Sequence, residues 1–309
     1  MAIGNGSFSG HETFPFRYAW MKKGVDAVAE DPNVFSDDEA MSILGVGKNM
    51  VRSIRHWCLA TGLLENTKSK GAAKSGLSVS ALGKALFGDV GFDPYLEDPA
   101  TLWILHWQLA SDSTLATTWY WAFGHVHEPE FTKDALLSSL KVWIQTQGLK
   151  AASDGTLERD VDCFLRTYAR SRGGSGAVQE DSLDCPLVEL GLILPSADHS
   201  AFAFVRGDHP TLSDGVLLYA VSVFWSAQAK SREALSLADL AHRPGSPGRV
   251  FKLDEDALAT RLDRLDKLTG GGMVYDETAG LRQLYLKKEI SATRALRLVY
   301  RRSPVKAGC

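Results

Sequence analysis

Residues 36–87 read SDDEAMSILGVGKNMVRSIRHWCLATGLLENTKSKGAAKSGLSVSALGKALF, and the order of elements in this stretch decides the fold. Ser36 is a helix cap with Asp37, Asp38 and Glu39 in the first turn, where carboxylates meet the positive end of the helix dipole. Ala40, Met41, Ile43 and Leu44 give this short helix its apolar face. Gly45-Val46-Gly47 breaks it, and a second helix opens at Lys48. There Val51, Ile54, Cys58 and Leu59 recur at helical spacing, while Lys48, Arg52 and Arg55 fall on another side. Gly62 stops the helix and Leu63-Leu64 starts a strand. Residues 66–76 are polar, basic and Gly-containing, Leu77-Ser78-Val79 returns as a strand, and Ser80 caps a helix running to Phe87. Helix, three-residue turn, basic helix, strand, basic loop, strand is the order of a winged helix-turn-helix.

Charge supports a polyanionic partner. The whole chain of 309 residues carries a net charge of −3. From Gly47 to Lys84, however, seven lysines and arginines face Glu65 alone, a local charge of +6. From Leu281 to Cys309 eight basic residues face Glu289 alone, a local charge of +7. Segregation of this kind creates local fields that the overall balance conceals, and nucleic acid is the simplest polyanion to meet them. The expected DNA contacts are Lys48, Asn49, Arg52 and Arg55 on the second helix and the wing lysines Lys68, Lys70 and Lys74. A winged helix used only for protein contact is the competing reading of the same order.

Outward from this unit, residues 8–20 interleave aromatics with ionisable groups, and a helix start is read at Gly24-Val25. His11, Glu12, Arg17 and Tyr18 offer a base or metal ligand, a carboxylate, a phosphate clamp and a phenol, which is what strand cleavage requires. The plainer reading makes His11 and Glu12 anchors of an N-terminal arm. Residues 99–126 carry one formal charge, Asp112, and hold Trp103, Trp107, Trp119, Tyr120, Trp121 and Phe123 at helical spacing with leucines. That composition predicts a buried pair of helices and not a membrane span. His125, His127, Glu128 and Glu130 lack a third ligand at defined spacing and read as a surface turn. The helix from Ser153 carries Asp154, Glu158, Asp160 and Asp162, a second and lower-ranked set for Mg²⁺, and pairs such as Asp162 with Arg166 predict a salt-bridged face. Cys58, Cys163, Cys185 and Cys309 form no CxxC pair, which suits a reducing cytoplasm and predicts neither zinc nor disulfides.

Residues 236–286 repeat the first architecture: a short helix at 237–241, a Pro/Gly-rich linker, an amphipathic helix at 255–268, and two strands. Its second helix carries Asp254, Glu255, Asp256, Asp263 and Asp266, which repel phosphate from much of it, so this unit is expected to face protein, with the basic tail as an auxiliary DNA contact. The chain is thus expected to be mainly α, with winged helix-turn-helix units flanking a helical middle. The expected segments are 1–92, 93–230 and 231–309.

The strings FSGHETFPFRYAWMKK at 8–23, GVGKNMVRSIRHWC at 45–58 and EDPATLWILHWQLA at 97–110 resemble the SspB-like family of bacterial DNA phosphorothioation and phage-defence clusters. The resemblance runs from Phe8 to about Leu286. It implies a protein that nicks one DNA strand so that a cysteine desulfurase, an ATP-using sulfurtransferase and an ATPase can install sulfur in the backbone. It carries no catalytic assignment, so His11, Glu12, Arg17 and Tyr18 stand on their chemistry, with Mg²⁺ or Mn²⁺ as the cofactor such nicking would use. A DNA-binding adaptor without catalysis and a winged-helix transcriptional regulator are the alternatives. No HNH, PD-(D/E)xK or GIY-YIG pattern is present to favour catalysis.

Overall fold

A computed structural model describes residues 6–37, 39–67, 76–150, 152–170, 185–228, 232–278 and 280–301. The chain is mainly α-helical with small antiparallel sheets. It divides into two compact units, Met1–Arg206 and Gly207–Cys309.

The first unit begins with an extended strap, residues 6–17, and then α1 (Tyr18–Glu30). The helix therefore starts six residues before the Gly24-Val25 read from the sequence. Gly24 lies inside α1 because α3 (Lys48–Ala60) crosses there: a Cβ on Gly24 would stand 2.5 Å from the Cys58 sulfur. Small residues are needed wherever two helix backbones approach this closely. Between them, α2 (Ala40–Leu44) ends on Gly45, whose φ of +63° makes a left-handed cap at the break read from Gly45-Val46-Gly47. The cap ahead of α2 is not Ser36, which sits in a 3-10 turn at Val34–Ser36. The N-cap position is Glu39, which makes no side-chain cap bond, and its amide donates to the Asp37 carboxylate at 2.9 Å.

A two-stranded hairpin follows, β1 (Leu64–Asn66) pairing with β2 (Leu77–Val79), and Ser80 caps α4 (Ala81–Phe87) by accepting from the Gly83 amide. The loop that should carry Lys68, Lys70 and Lys74 lies outside the described residues.

α5 (Pro99–Ser111) and α6 (Thr117–His125) form the expected buried pair. Trp103, Trp107, Trp119, Trp121 and Phe123 are buried, and no described helix is long and apolar enough to cross a membrane. Asp98 caps α5 through the Ala100 amide, and Pro99 at the first turn needs no donor. α7 (Lys133–Thr146) and α8 (Asp154–Tyr168) pack beside the pair, with Thr132 and Ser153 as caps. A small sheet closes the unit: β5 (Phe202–Phe204) lies between β3 (Glu130–Phe131) and β4 (Ile193–Pro195). The turn read at 124–130 is thus the entry to a strand.

In the second unit α9 (Asp214–Gln228) packs against α12 (Glu255–Thr269) and α13 (Ala292–Val299). β8 (Leu281–Leu286) is the central strand, flanked by β6 (Ala234–Ser236) and β7 (Met273–Thr278). The linker expected at 243–248 holds α11 (Pro247–Val250), seated on α10 (Leu237–His242). A Cβ on Gly248 would come within 2.6 Å of the Ala241 Cα.

Arg261 ties α12 to the segment before α9. It is 5% exposed and donates to Asp208, to Asp214 at 3.0 Å, and to the Leu212 and His209 carbonyls at 2.6 and 3.0 Å. A buried guanidinium is tolerated because its donors are met. Arg261→Met should therefore lower stability by roughly 2–3 kcal/mol, since the two carbonyls and Asp214 lose charged hydrogen bonds. Urea unfolding with amide exchange over residues 207–214 checks this. An unchanged midpoint with unchanged protection there contradicts it.

Candidate functional site

The strap crosses α3 at Gly10, where a Cβ would fall 2.2 Å from the His56 Nδ1. Only glycine fits, and its fit delivers His11 into an aromatic enclosure. The His11 ring stacks on Trp57 at 5.9 Å between centroids and meets Trp119 edge-on at 5.8 Å and His56 at 5.9 Å. It is 2% exposed.

Both ring nitrogens are engaged. The Thr13 amide donates to Nδ1 at 3.0 Å, so Nδ1 presents its lone pair and the proton resides on Nε2. Nε2 then donates to Asp160 Oδ1 at 2.6 Å, across 149 residues of sequence. The other Asp160 oxygen accepts from the Thr118 hydroxyl. Asp160 is 1% exposed, and a buried carboxylate persists only with such partners. Further bonds fix the strap's main chain: the Ser53 hydroxyl donates to the His11 carbonyl at 2.9 Å and the Trp57 indole to the Phe14 carbonyl at 2.8 Å. In this arrangement His11 has no nitrogen left to take a proton from water. Its geometry is that of an anchor.

Anchoring shapes the turn at 9–14. Glu12 and Thr13 are both left-handed, with φ of +48° and +70°, and each such non-glycine residue costs on the order of 1–3 kcal/mol. The turn persists because the Glu12 amide bonds the Ser9 carbonyl and the Phe14 amide bonds the His11 carbonyl. Its tip reaches two helices. The Glu12 carboxylate sits 3.6 Å from the Arg52 guanidinium of α3, and Arg166 of α8 donates to the Thr13 carbonyl. Arg17 lies over the Trp20 ring at 5.5 Å, and the Tyr18 hydroxyl donates to Glu189.

Of the residues proposed for cleavage chemistry, His11 is therefore interior, while Glu12, Arg17 and Tyr18 are partly or fully exposed beside it. Lys48, Asn49, Arg52 and Arg55 are all exposed on α3. Positions 48, 52 and 55 lie within about 60° of one another around the helix, so the three cations form one row. Among the described residues Lys48 and Arg55 are in no ion pair, and Arg52 has only Glu12.

The second acidic set does not converge. Lys133 of α7 holds Asp162 at 2.9 Å and Glu158 at 3.4 Å, Lys141 holds Asp154 at 3.0 Å, and Asp160 faces inward. The expected Asp162–Arg166 pair is replaced by Asp162–Lys133. Among the described residues no group of three or more His, Cys, Asp or Glu side chains is placed to hold a metal ion. The carboxylates proposed for Mg²⁺ each carry a cation or are sealed in the core, so they do not fit a metal site.

Burial, with the neighbouring His11 and Arg55, lowers the His56 pKa from 6.5 to about 3. Burial also pushes the Cys58 and Cys163 thiols up.

The sequence places Asp160 only among the four Mg²⁺ candidates of this helix, and its buried pairing with His11 is not read there, although a signal for it exists. Asp160 lies in the helical stripe Leu157, Val161, Phe164, Tyr168, where a lone carboxylate demands a buried donor.

Two tests follow. Asp160→Asn turns one acceptor into a donor facing either His11 or Thr118, and should cost about 2–3 kcal/mol. It should also speed tryptic cleavage at Arg17. An unchanged melting temperature and cleavage rate would contradict the anchor. Separately, the unfolded chain takes up a proton on His56 below pH 6.5 and the folded chain does not until about pH 3. The stability gained from a neutral His56 is therefore full above pH 6.5 and falls through the window below it. Between pH 7 and pH 5 the native chain should lose about 2 kcal/mol more than His56→Asn. Parallel losses in urea titrations at the two pH values would rule this out.

Comparison with known proteins places these observations. Two solved structures, "Magnesium ion-bound SspB crystal structure" and "SspB crystal structure", match with TM-scores of 0.85 and 0.84 at 29% and 28% identity. Each match covers 97% of this chain and 90% of the other. Comparison with curated proteins gives no match. The family model described as "Protein of unknown function (DUF4007)" matches residues 8–300, and the chain belongs to that family.

Proposed function

We propose that this chain is a DNA-binding component of a DNA phosphorothioate modification and anti-phage system, and that α1 to β2 act as a winged helix-turn-helix. The observation that carries the reading is the outward row Lys48, Arg52, Arg55 on α3, with Asn49 beside it, all exposed and with Glu12 as the one carboxylate partner among the described residues. A row of cations on the second helix of the helix-turn-helix pair α2–α3 meets phosphates along a groove edge, and an asparagine in its first turn can pair with adenine. Lys68, Lys70 and Lys74 extend the contact as wing residues. The phosphorothioate context is supported by the strings at 8–23, 45–58 and 97–110 and by the full-length likeness to SspB. The partners this context implies are a cysteine desulfurase, an ATP-using sulfurtransferase and an ATPase.

The second unit repeats the helix–helix–hairpin order with a third strand, and α12 exposes Asp256, Asp263 and Asp266. That face suits protein, while Arg294 and Arg297, exposed on α13, and Arg301 beyond it offer an auxiliary DNA contact.

Nicking is the second reading, favoured by the likeness to SspB over 97% of the chain. Glu12, Arg17 and Tyr18 are the groups exposed for it, and His11 positions them from behind. No step is assigned to a metal ion, because the carboxylates described do not form a site for one.

Lys48→Ala/Arg52→Ala/Arg55→Ala should weaken duplex binding and lower the slope of log K against log salt by about 3, one per lost phosphate contact. Fluorescence anisotropy across a salt series measures this, and an unaltered slope would remove α3 from the interface. Conversion of supercoiled plasmid to open circle, with Mg²⁺, Mn²⁺ or EDTA, tests nicking. Cleavage abolished in Glu12→Ala or Tyr18→Phe with binding retained supports the second reading. Tight binding with no cleavage under any of the three conditions makes the chain an adaptor.

A further inference from the structure

Two arginines of α8 extend the exposed basic surface away from α3. Arg159 and Arg166 are seven residues apart, about two helical turns, so they project from one side of α8, and both are exposed. The helix carries four carboxylates, and all are spoken for elsewhere: Asp154 by Lys141, Glu158 and Asp162 by Lys133, and Asp160 by His11 and Thr118. Among the described residues neither Arg159 nor Arg166 has a carboxylate partner. Lys133 and Lys141 of α7 thus hold the three surface acids of α8, and its two arginines are left without a carboxylate contact among the described residues.

The strap joins this pair to α3. At adjacent residues in left-handed backbone, the Glu12 carboxylate lies against Arg52 of α3 and the Thr13 carbonyl accepts from Arg166 of α8. The two guanidiniums, 114 residues apart in sequence, are therefore held on either side of one two-residue tip. That tip is itself fixed from beneath by His11 and Ser53.

We infer that Arg166 and Arg159 form a second phosphate-binding row, so that duplex DNA held at α3 continues over the Glu12–Thr13 tip onto α8. The inference rests on the DNA-binding reading of α3 and extends its footprint. Arg166 bonds a neutral carbonyl and keeps donors for a phosphate, whereas Arg52 must exchange Glu12 for one. An exposed pair of this kind is weak enough to exchange. Glu12 therefore acts as an internal competitor at the junction of the two rows.

The test is anisotropy of the full chain with a labelled 24-base-pair duplex of mixed sequence in a KCl series. Arg159→Ala/Arg166→Ala should lower the salt slope by about 2. Arg159→Ala alone touches nothing of the strap, and should lower the slope by about 1 with an unchanged melting temperature. Arg166→Lys, which keeps the charge and a donor for Thr13, should retain the slope. Glu12→Gln should tighten binding. If both arginine-to-alanine variants bind as the native chain does while the α3 triple variant is weakened, the extension onto α8 is wrong and the α3 reading stands. If slope is lost only together with melting temperature, and Arg159→Ala is normal, the extension is likewise overturned. A native chain that does not bind the duplex overturns both.

Discussion

The hydrogen bond from His11 to Asp160 joins the two ends of the first unit's chemistry. One partner belongs to a strap with no helix or sheet of its own, the other to a helix 149 residues later. Neither group tolerates burial alone, and each is fully used: the imidazole by Thr13 and Asp160, the carboxylate by His11 and Thr118. Trp57 and Trp119 enclose the pair and exclude water, which strengthens each bond and raises the cost of losing it. From this point the positions of Glu12, Thr13 and Arg17 follow, because the strap on either side of His11 is held by main-chain bonds to Ser53 and Trp57.

The same anchor changes the sense of the N-terminal motif. A histidine beside a glutamate, an arginine and a tyrosine invites a catalytic reading, and the family likeness keeps cleavage in view. The geometry separates the motif into an interior part and an exposed part. The interior part is His11 and Phe16, with Gly10 and Phe14 half-buried beside them, and it organises the surface. Glu12, Arg17 and Tyr18 remain at the surface, two of them in contact with groups from α3 or the 3-10 turn at Pro186–Leu190. Backbone strain at residues 12 and 13 is sustained by the anchor beneath them, as strain usually is where a surface must be held in one shape.

Local signals made much of this legible. Gly45, Gly62, Ser80 and Ser153 act in the structure as the stops and caps their chemistry suggests, and the tryptophans of 103–121 are interior. What escaped was long-range or compensated. Asp160 needed knowledge of a partner far away in sequence. Lys133 outcompetes Arg166 for Asp162 because α7 packs beside α8, which an (i, i+4) rule within one helix does not register. β6 has three residues and exists only by pairing with β8. α13 has an apolar edge of two buried residues, Ala295 and Leu296, and was hidden within a basic tail.

The central claim is that a basic face on α3, held in shape by the buried strap, is where this protein meets DNA. Amide hydrogen exchange of the full chain with and without a 24-base-pair duplex tests it most directly. Slowed exchange at the start of α3 and across residues 11–13, with residues 255–269 unchanged, is the predicted result. Binding of the duplex with no slowing in α3 or the strap would contradict the account.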